Sequence, residues 1–87
     1  MICDIWYIRD IVGSDDFIFY RCGLPLVPPN KTTIKTGNGQ EFLFEDPDYN
    51  ISEGRFEFYL DEIEESEIND YKALGWFLYS EFEPPEE

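Results

Sequence analysis

Lys31-Thr-Thr-Ile-Lys-Thr-Gly-Asn-Gly-Gln-Glu-Phe-Leu-Phe-Glu45 sets two alternating segments on either side of an Asn-Gly pair. Asn-Gly favours the centre of a two-residue type I′ turn, whose two central positions both need positive φ. The stretch reads as a β-hairpin over 31–45 in which Thr36 faces Glu41, Ile34 faces Leu43 and Thr33 faces Phe44. Phe42 and Phe44 then share one face, while Glu41 and Glu45 flank Leu43 on the other. A chain with this hairpin at its middle is built around a sheet.

Downstream, Asp46-Pro-Asp-Tyr-Asn-Ile-Ser-Glu-Gly54 is dense in turn formers. It leads into Arg55-Phe-Glu-Phe-Tyr-Leu60, which alternates again. Phe56, Phe58 and Leu60 are expected inward, and Glu57, Tyr59 and Asp61 outward. This 55–60 strand would complete a three-stranded antiparallel meander. Upstream, Ile2–Val12 and Phe17–Cys22 are β-branched and aromatic, with Gly13-Ser-Asp-Asp16 as the turn between them. The first of the two carries apolar residues on both faces. Gly23–Asn30 is an extended connection, because three prolines exclude a central strand. Its Leu24-Pro-Leu-Val-Pro-Pro29 core lacks the flanking base of a polyproline ligand, with Cys22 and Asn30 at the usual offsets.

After the strand, Asp61 and Glu64 have capping-box spacing. Leu60, Ile63, Ile68, Tyr71 and Leu74 share one side of a helical wheel, and Gly75 is a stop signal. A helix is expected near 62–74, packed on the sheet. Glu67 and Asp70 intrude on its apolar side, which allows a start as late as Ser66. Trp76–Phe82 is a last strand, and Glu83-Pro-Pro-Glu-Glu87 a frayed acidic tail. The order predicts one α+β domain over 1–87: a small antiparallel sheet of about five to six strands with one helix.

The composition supports a folded core. Hydrophobic residues make up 43% of the 87 positions, and sixteen are aromatic, each able to bury about 150–250 Å². The acids must then be carried on the surface. Two cysteines nineteen residues apart, Cys3 and Cys22, are expected as buried free thiols. No apolar run exceeds four residues, so no segment is expected to span a membrane. Asp4 and Arg9-Asp10 do not suit a signal peptide, and the expected location is the cytoplasm of the host cell. Without a secretory route the sequons at Asn30 and Asn50 are read as chance.

Charge is split along the chain. Residues 1–40 carry four acids and four bases; residues 41–87 carry sixteen acids against Arg55 and Lys72, the whole net charge of −14. Six acids fall within Asp61–Asp70, with no base among them. Solubility needs a net charge of only about 2–8 in a small domain, and the surplus repels itself. The split also argues against halophilic adaptation, which would spread acids over the whole surface.

Few chemistries survive inspection. With no histidine there is no Ser-His or Cys-His nucleophile pair and no histidine metal site. Gly37-Asn-Gly39 lacks the spacing and the following helix of a phosphate loop, and two cysteines are too few for a zinc site. Asp46-x-Asp48-x-Asn50 with Glu57 matches positions 1, 3, 5 and 12 of a calcium loop. Pro47, Ile51 in place of the bend glycine, and the strand pattern around Glu57 count against it. No catalytic site, metal or cofactor is expected.

What remains is charge with geometry. Alternate residues of a strand project to one face about 6.6 Å apart, so Glu41/Glu45 and Glu57/Asp61 are expected to form rows continuing into Glu62, Glu64, Glu65, Glu67 and Asp70. Rigid carboxylates can imitate a phosphate backbone, whereas direct nucleic-acid binding would be repulsive. In size and charge alone, the chain resembles small acidic inhibitors of phage and mobile elements, anti-CRISPR proteins and DNA mimics among them, and immunity proteins of nuclease toxins. The expectation is a non-enzymatic inhibitor, monomeric or weakly dimeric. Its partner would be a basic host protein that handles nucleic acid: a CRISPR effector, nuclease or polymerase. Asp61, Glu62, Glu64, Glu65, Glu67 and Asp70 would supply the central field, Glu57, Asp46 and Asp48 its edge, and Tyr59 and Tyr49 the anchors. The alternative is an assembly or interaction module whose acidity only keeps it soluble.

Overall fold

The computed structural model describes residues 3–37 and 39–82. Seven strands run as β1 Cys3–Ile11, β2 Phe17–Leu24, β3 Thr32–Lys35, β4 Glu41–Phe44, β5 Asp48–Asn50, β6 Arg55–Ile63 and β7 Phe77–Leu78. A 3₁₀ turn at Glu65–Glu67 leads into helix α1, Ile68–Ala73, and a second 3₁₀ turn spans Tyr79–Glu81. The fold is α+β with one helix, as expected.

The main sheet has the order β5-β6-β1-β2-β7, and β3-β4 form a separate pair. The sheet is mixed rather than wholly antiparallel: β1 lies parallel to β6 while the other pairs are antiparallel. Apolar residues on both faces of β1 are the reason. A strand of that kind avoids water only at the centre of a covered sheet. Cys3, Ile5, Tyr7 and Ile11 enter the larger core, and Trp6 and Ile8 a smaller one on the opposite face with Phe19.

The 31–45 hairpin forms, with three corrections. Its pairs are Thr32–Phe44, Thr33–Leu43, Ile34–Phe42 and Lys35–Glu41, one residue away from the expected register. Gly37–Gly39 lie between Thr36 and Gln40, whose backbones bond at 2.9 Å, and the Gly39 amide donates to the Thr36 carbonyl at 3.2 Å. Gly39 has φ +89, as in a three-residue loop with glycine in the left-handed region. Asn38, on which the two-residue turn depended, lies outside the described residues, as does the expected tail 83–87. The register follows hydrophobicity, since Ile34 now stands opposite Phe42 on the covered side.

Nor does the hairpin extend the sheet into a meander. It lies across it. Phe42 stacks on Tyr7 with ring centroids 4.3 Å apart, Phe44 meets Phe56 and Phe58 edge-on, and the Tyr7 hydroxyl donates to the Leu43 carbonyl at 3.2 Å. One apolar face on a two-stranded ribbon is buried best by covering the apolar face of the larger sheet. Glu41 consequently sits on a different sheet from Glu57, and the expected continuous rows do not exist.

The helix is shorter than 62–74. Glu62 and Ile63 belong to β6, because Ile63 pairs with Ile11 and is buried there. Glu64, not Asp61, accepts the role at the turn: its amide donates to a Glu67 carboxylate oxygen at 3.3 Å. The Gly75 stop is present, at φ +101. Trp76 N–H reaches the Tyr71 carbonyl and Gly75 N–H the Lys72 carbonyl, both at 3.1 Å, the paired bonds of a Schellman end. Gly75→Ala is expected to lower stability by about 1–2 kcal/mol, the penalty of a Cβ in the left-handed region, measurable by urea denaturation. The expected strand over 76–82 is reduced to Phe77–Leu78, and the 3₁₀ turn after it turns Phe82 onto Trp6.

Candidate functional site: an acidic ridge and a buried carboxylate hub

The acids expected at the binding face divide into three environments. Asp61, Glu62, Glu64, Glu65, Glu67 and Asp70 are all exposed. They sit where β6 runs into the 3₁₀ turn and α1, and buried Ile63 pins the centre of that segment through the Val12 N–H to Ile63 carbonyl bond of 2.9 Å. From below, the Arg9 guanidinium donates to the Asp61 carbonyl at 2.9 Å and lies over the rings of Tyr71 and Trp76, 5.5 and 5.7 Å from their centroids. A cation and two aromatic rings thus support the ridge from inside. Among the described residues none of the six carboxylates forms a salt bridge; the four ion pairs are Arg21–Asp4, Arg55–Glu53, Arg55–Glu57 and Lys72–Glu81.

Asp46, Asp48 and Tyr49 lie apart from this ridge. Asp48 pairs with Glu57 in the β5–β6 ladder; Asp61 is four residues further along, about 13 Å at strand rise. Asp46 is exposed with φ +50 where the chain leaves β4, its amide donating to Asn30 Oδ1 at 2.9 Å. Tyr49 is 54% exposed. The structure therefore keeps six of the expected residues together in one ridge and leaves Asp48 and Tyr49 on β5, opposite Glu57 and Phe56, with Asp46 in the turn after β4.

Glu57 departs most from expectation. It is only 7% exposed and is the one buried charged residue among those described. Its Oε1 accepts the Tyr59 hydroxyl at 2.7 Å; its Oε2 accepts Arg55 Nε at 2.9 Å and Asn50 Nδ2 at 3.0 Å. Arg55, Glu57 and Tyr59 alternate along one face of β6, so a strand's period of two brings them together. Arg55 in turn lies flat on Trp6, 3.7 Å from the ring centroid, while Phe19 stacks on Trp6 at 4.0 Å. Glu57 is thus part of what shields the second core, not a rung of an exposed row.

The electrostatics agree with that role. Burial pushes the Glu57 carboxyl up, but hydrogen bonds from Tyr59, Asn50 and Arg55, with the arginine's charge, outweigh it and hold the pKa below the ordinary value. The same bond to Glu57, with burial, pushes the Tyr59 hydroxyl up to about 12. Glu57 stays ionised at neutral pH with three of its roughly four acceptor positions filled. The hollow around it, about 370 Å³, is walled by Ile8, Phe17, Asn50, Tyr59 and Tyr79. Tyr59 keeps 61% of its surface exposed, with its hydroxyl committed.

Asp46, Asp48, Asn50 and Glu57 do not gather as a calcium loop: Asn50 bonds Glu57 through its amide and accepts the Glu53 N–H through Oδ1. No group of three or more potential metal ligands occurs among the described residues. Cys3 and Cys22 are buried free thiols, and burial, with the charge of Asp4, pushes Cys22 up to about 11. No described helix is long and apolar enough to cross a membrane. Searches for similarity find no matching family model, curated protein or solved structure.

Of the hub the sequence carried only the Arg55-x-Glu57-x-Tyr59 spacing, which puts three polar side chains on one face of a strand without saying that the face is covered. A second feature, an apolar groove beside β5, was signalled by Pro25-Leu26-Val27, three consecutive side chains with no charge in a connection read as mere linkage.

Proposed function

We propose that this chain is a small acidic inhibitor that works by binding and not by catalysis, presenting the Asp61–Asp70 ridge to the basic nucleic-acid-binding groove of a host protein. The observation that carries the reading is the exposure of six carboxylates on a braced strand–turn–helix segment with no salt bridge to any described base. Holding them together works against their mutual repulsion, and a Lys/Arg-lined groove would relieve it. The partner class is a protein that handles nucleic acid, a CRISPR effector, nuclease or polymerase, and a phage or mobile element is the source this reading favours. Nucleic-acid mimicry is the mode, because carboxylates carried on an ordered segment can occupy the same cationic sites as phosphates.

The test is competition. Fluorescent DNA or RNA is bound to a panel comprising a CRISPR effector, a nuclease and a polymerase, and the protein is titrated in. Displacement is expected from at least one of them, weakening steeply between about 50 and 200 mM salt as screening grows. The triple variant Glu64→Lys, Glu65→Lys, Glu67→Lys, checked for fold by circular dichroism, is expected to lose it by at least about a hundredfold, since each reversal removes an attraction and adds a repulsion. Undiminished displacement by the folded triple variant would refute the assignment.

A further inference from the structure

We propose a second docking surface, independent of the ridge: an apolar groove at the β5 edge that takes an extended basic peptide segment carrying an apolar anchor side chain. This inference goes beyond the function above and does not depend on it.

The groove is open and encloses about 670 Å³. Pro25, Leu26, Val27, Tyr49 and Phe56 line it, with Asp4 as its one charged lining residue among those described. Leu26 is 78% and Val27 59% exposed, so the connection after β2 holds two aliphatic side chains in water beside a half-exposed tyrosine. Contiguous apolar exposure of this kind marks an interaction site more often than isolated apolar residues do. The adjoining turn adds Ile51, 85% exposed.

Beside the groove lies an open sheet edge. β5 is the terminal strand of the five-stranded sheet and pairs only with β6. Among the described residues the Gly54 N–H to Asn50 carbonyl bond, 2.7 Å, is the one backbone bond to β5 outside its ladder with β6, and it comes from the turn between them. An incoming strand can bond there while alternate side chains turn toward the groove. Tyr49 belongs to both features, being the middle residue of the edge strand and part of the groove wall.

Charge decides the occupant. Asp46 and Asp48 flank the edge without a salt bridge, and Glu53 shares Arg55, at 3.8 Å, with Glu57. A second copy would bring net charge −14 against −14, a repulsion that lysine or arginine beside the anchor replaces with attraction. Phe56, which lines the groove, is five residues from Asp61, the first acid of the ridge, about 16 Å at strand rise. At physiological salt, with a screening length of about 8 Å, the two surfaces act separately.

The probe is a short synthetic peptide alternating lysine with valine and phenylalanine, followed by amide NMR and fluorescence anisotropy on the full chain. Saturable binding is expected, with shifts at 26–27 and 48–50 and none at 61–70. Leu26→Asp with Val27→Asp, both at exposed positions, is expected to weaken it at least about tenfold. A peptide N-methylated at alternate amides is expected to lose comparable affinity, because edge bonding is removed without touching the protein. The Glu64/Glu65/Glu67 triple lysine variant should bind the peptide as the parent does, so failure of the ridge reading and failure of this one are separable. Absence of binding, equal binding of a peptide with glutamate for lysine, or shifts confined to the ridge would overturn the proposal. So would sedimentation showing a dimer that Leu26→Asp, Val27→Asp abolishes, since the groove would then belong to a second copy.

Discussion

Glu57→Ala is expected to lower the unfolding free energy by about 3 kcal/mol, the scale for removing one partner of a buried ion pair and leaving the other uncompensated. Three donors lose their acceptor: Arg55 Nε, Asn50 Nδ2 and the Tyr59 hydroxyl. Arg55 would also lose the contact that holds it flat on Trp6. In a domain of this size the change corresponds to a fall in Tm on the order of 15 °C. Glu57→Gln keeps the shape and isolates the charge. The folded-state pKa of Glu57 lies below its ordinary value of 4.5. Its ionisation therefore contributes stability that is complete above that value and disappears as pH falls through the lower folded value. The stability difference between parent and Glu57→Gln is expected to be flat at neutral pH and to close in that acid window. Ultraviolet titration supplies a second readout, with Tyr59 moving from about 12 toward the ordinary tyrosine value near 10 in the variant. A pH-independent difference with Tyr59 unmoved would refute the hub.

Tyr7→Ala is expected to be costlier still, about 4 kcal/mol, within the range for truncating a fully buried ring. Tyr7 is 1% exposed and its ring lies between Phe42 and Phe58, 4.3 and 4.8 Å from their centroids. It joins the β3–β4 hairpin to the main sheet beside the Phe44 contacts to Phe56 and Phe58, and burial drives its hydroxyl pKa far above the ordinary range. Tyr7→Phe keeps the stack and removes only the bond to the Leu43 carbonyl, a loss of about 1 kcal/mol. Urea denaturation of both variants checks the ratio. Equal losses would mean that the hydrogen bond, not the stack, joins the two layers.

The ridge was legible because it needs only local information. Six acids in ten residues must be exposed wherever the segment lies, as so many carboxylates find no buried partners. Glu57 was not legible from alternation alone. Its outward parity was read correctly, but that side of the sheet is not solvent: Trp6, Ile8 and Phe19 form a second core there. The two-faced apolar pattern of β1 carried that information. Once β1 is central, its partner β6 is covered on both faces around Glu57 though not as far as Tyr59, and Arg55-x-Glu57-x-Tyr59 becomes a network and not a row of charges.

Although its β5 segment reads as turn and the 3₁₀ end after β7 as strand, the sequence by itself determined most of the strands, the Gly75 helix stop and which half of the chain is acidic. These depend on backbone propensity and period-two alternation over a few residues, as the 31–45 hairpin, the 55–60 strand and the Gly75 end show. Only the tertiary structure decided that β1 lies parallel to β6, that the hairpin covers the sheet instead of extending it, and that its register shifts by one residue. It also decided that Glu57 is buried while its neighbours in the acidic half are exposed. Those outcomes depend on which apolar faces meet across long sequence separations, and on what then lies above each strand. Burial is a property of that assembled surface, and no local pattern around Glu57 contains it.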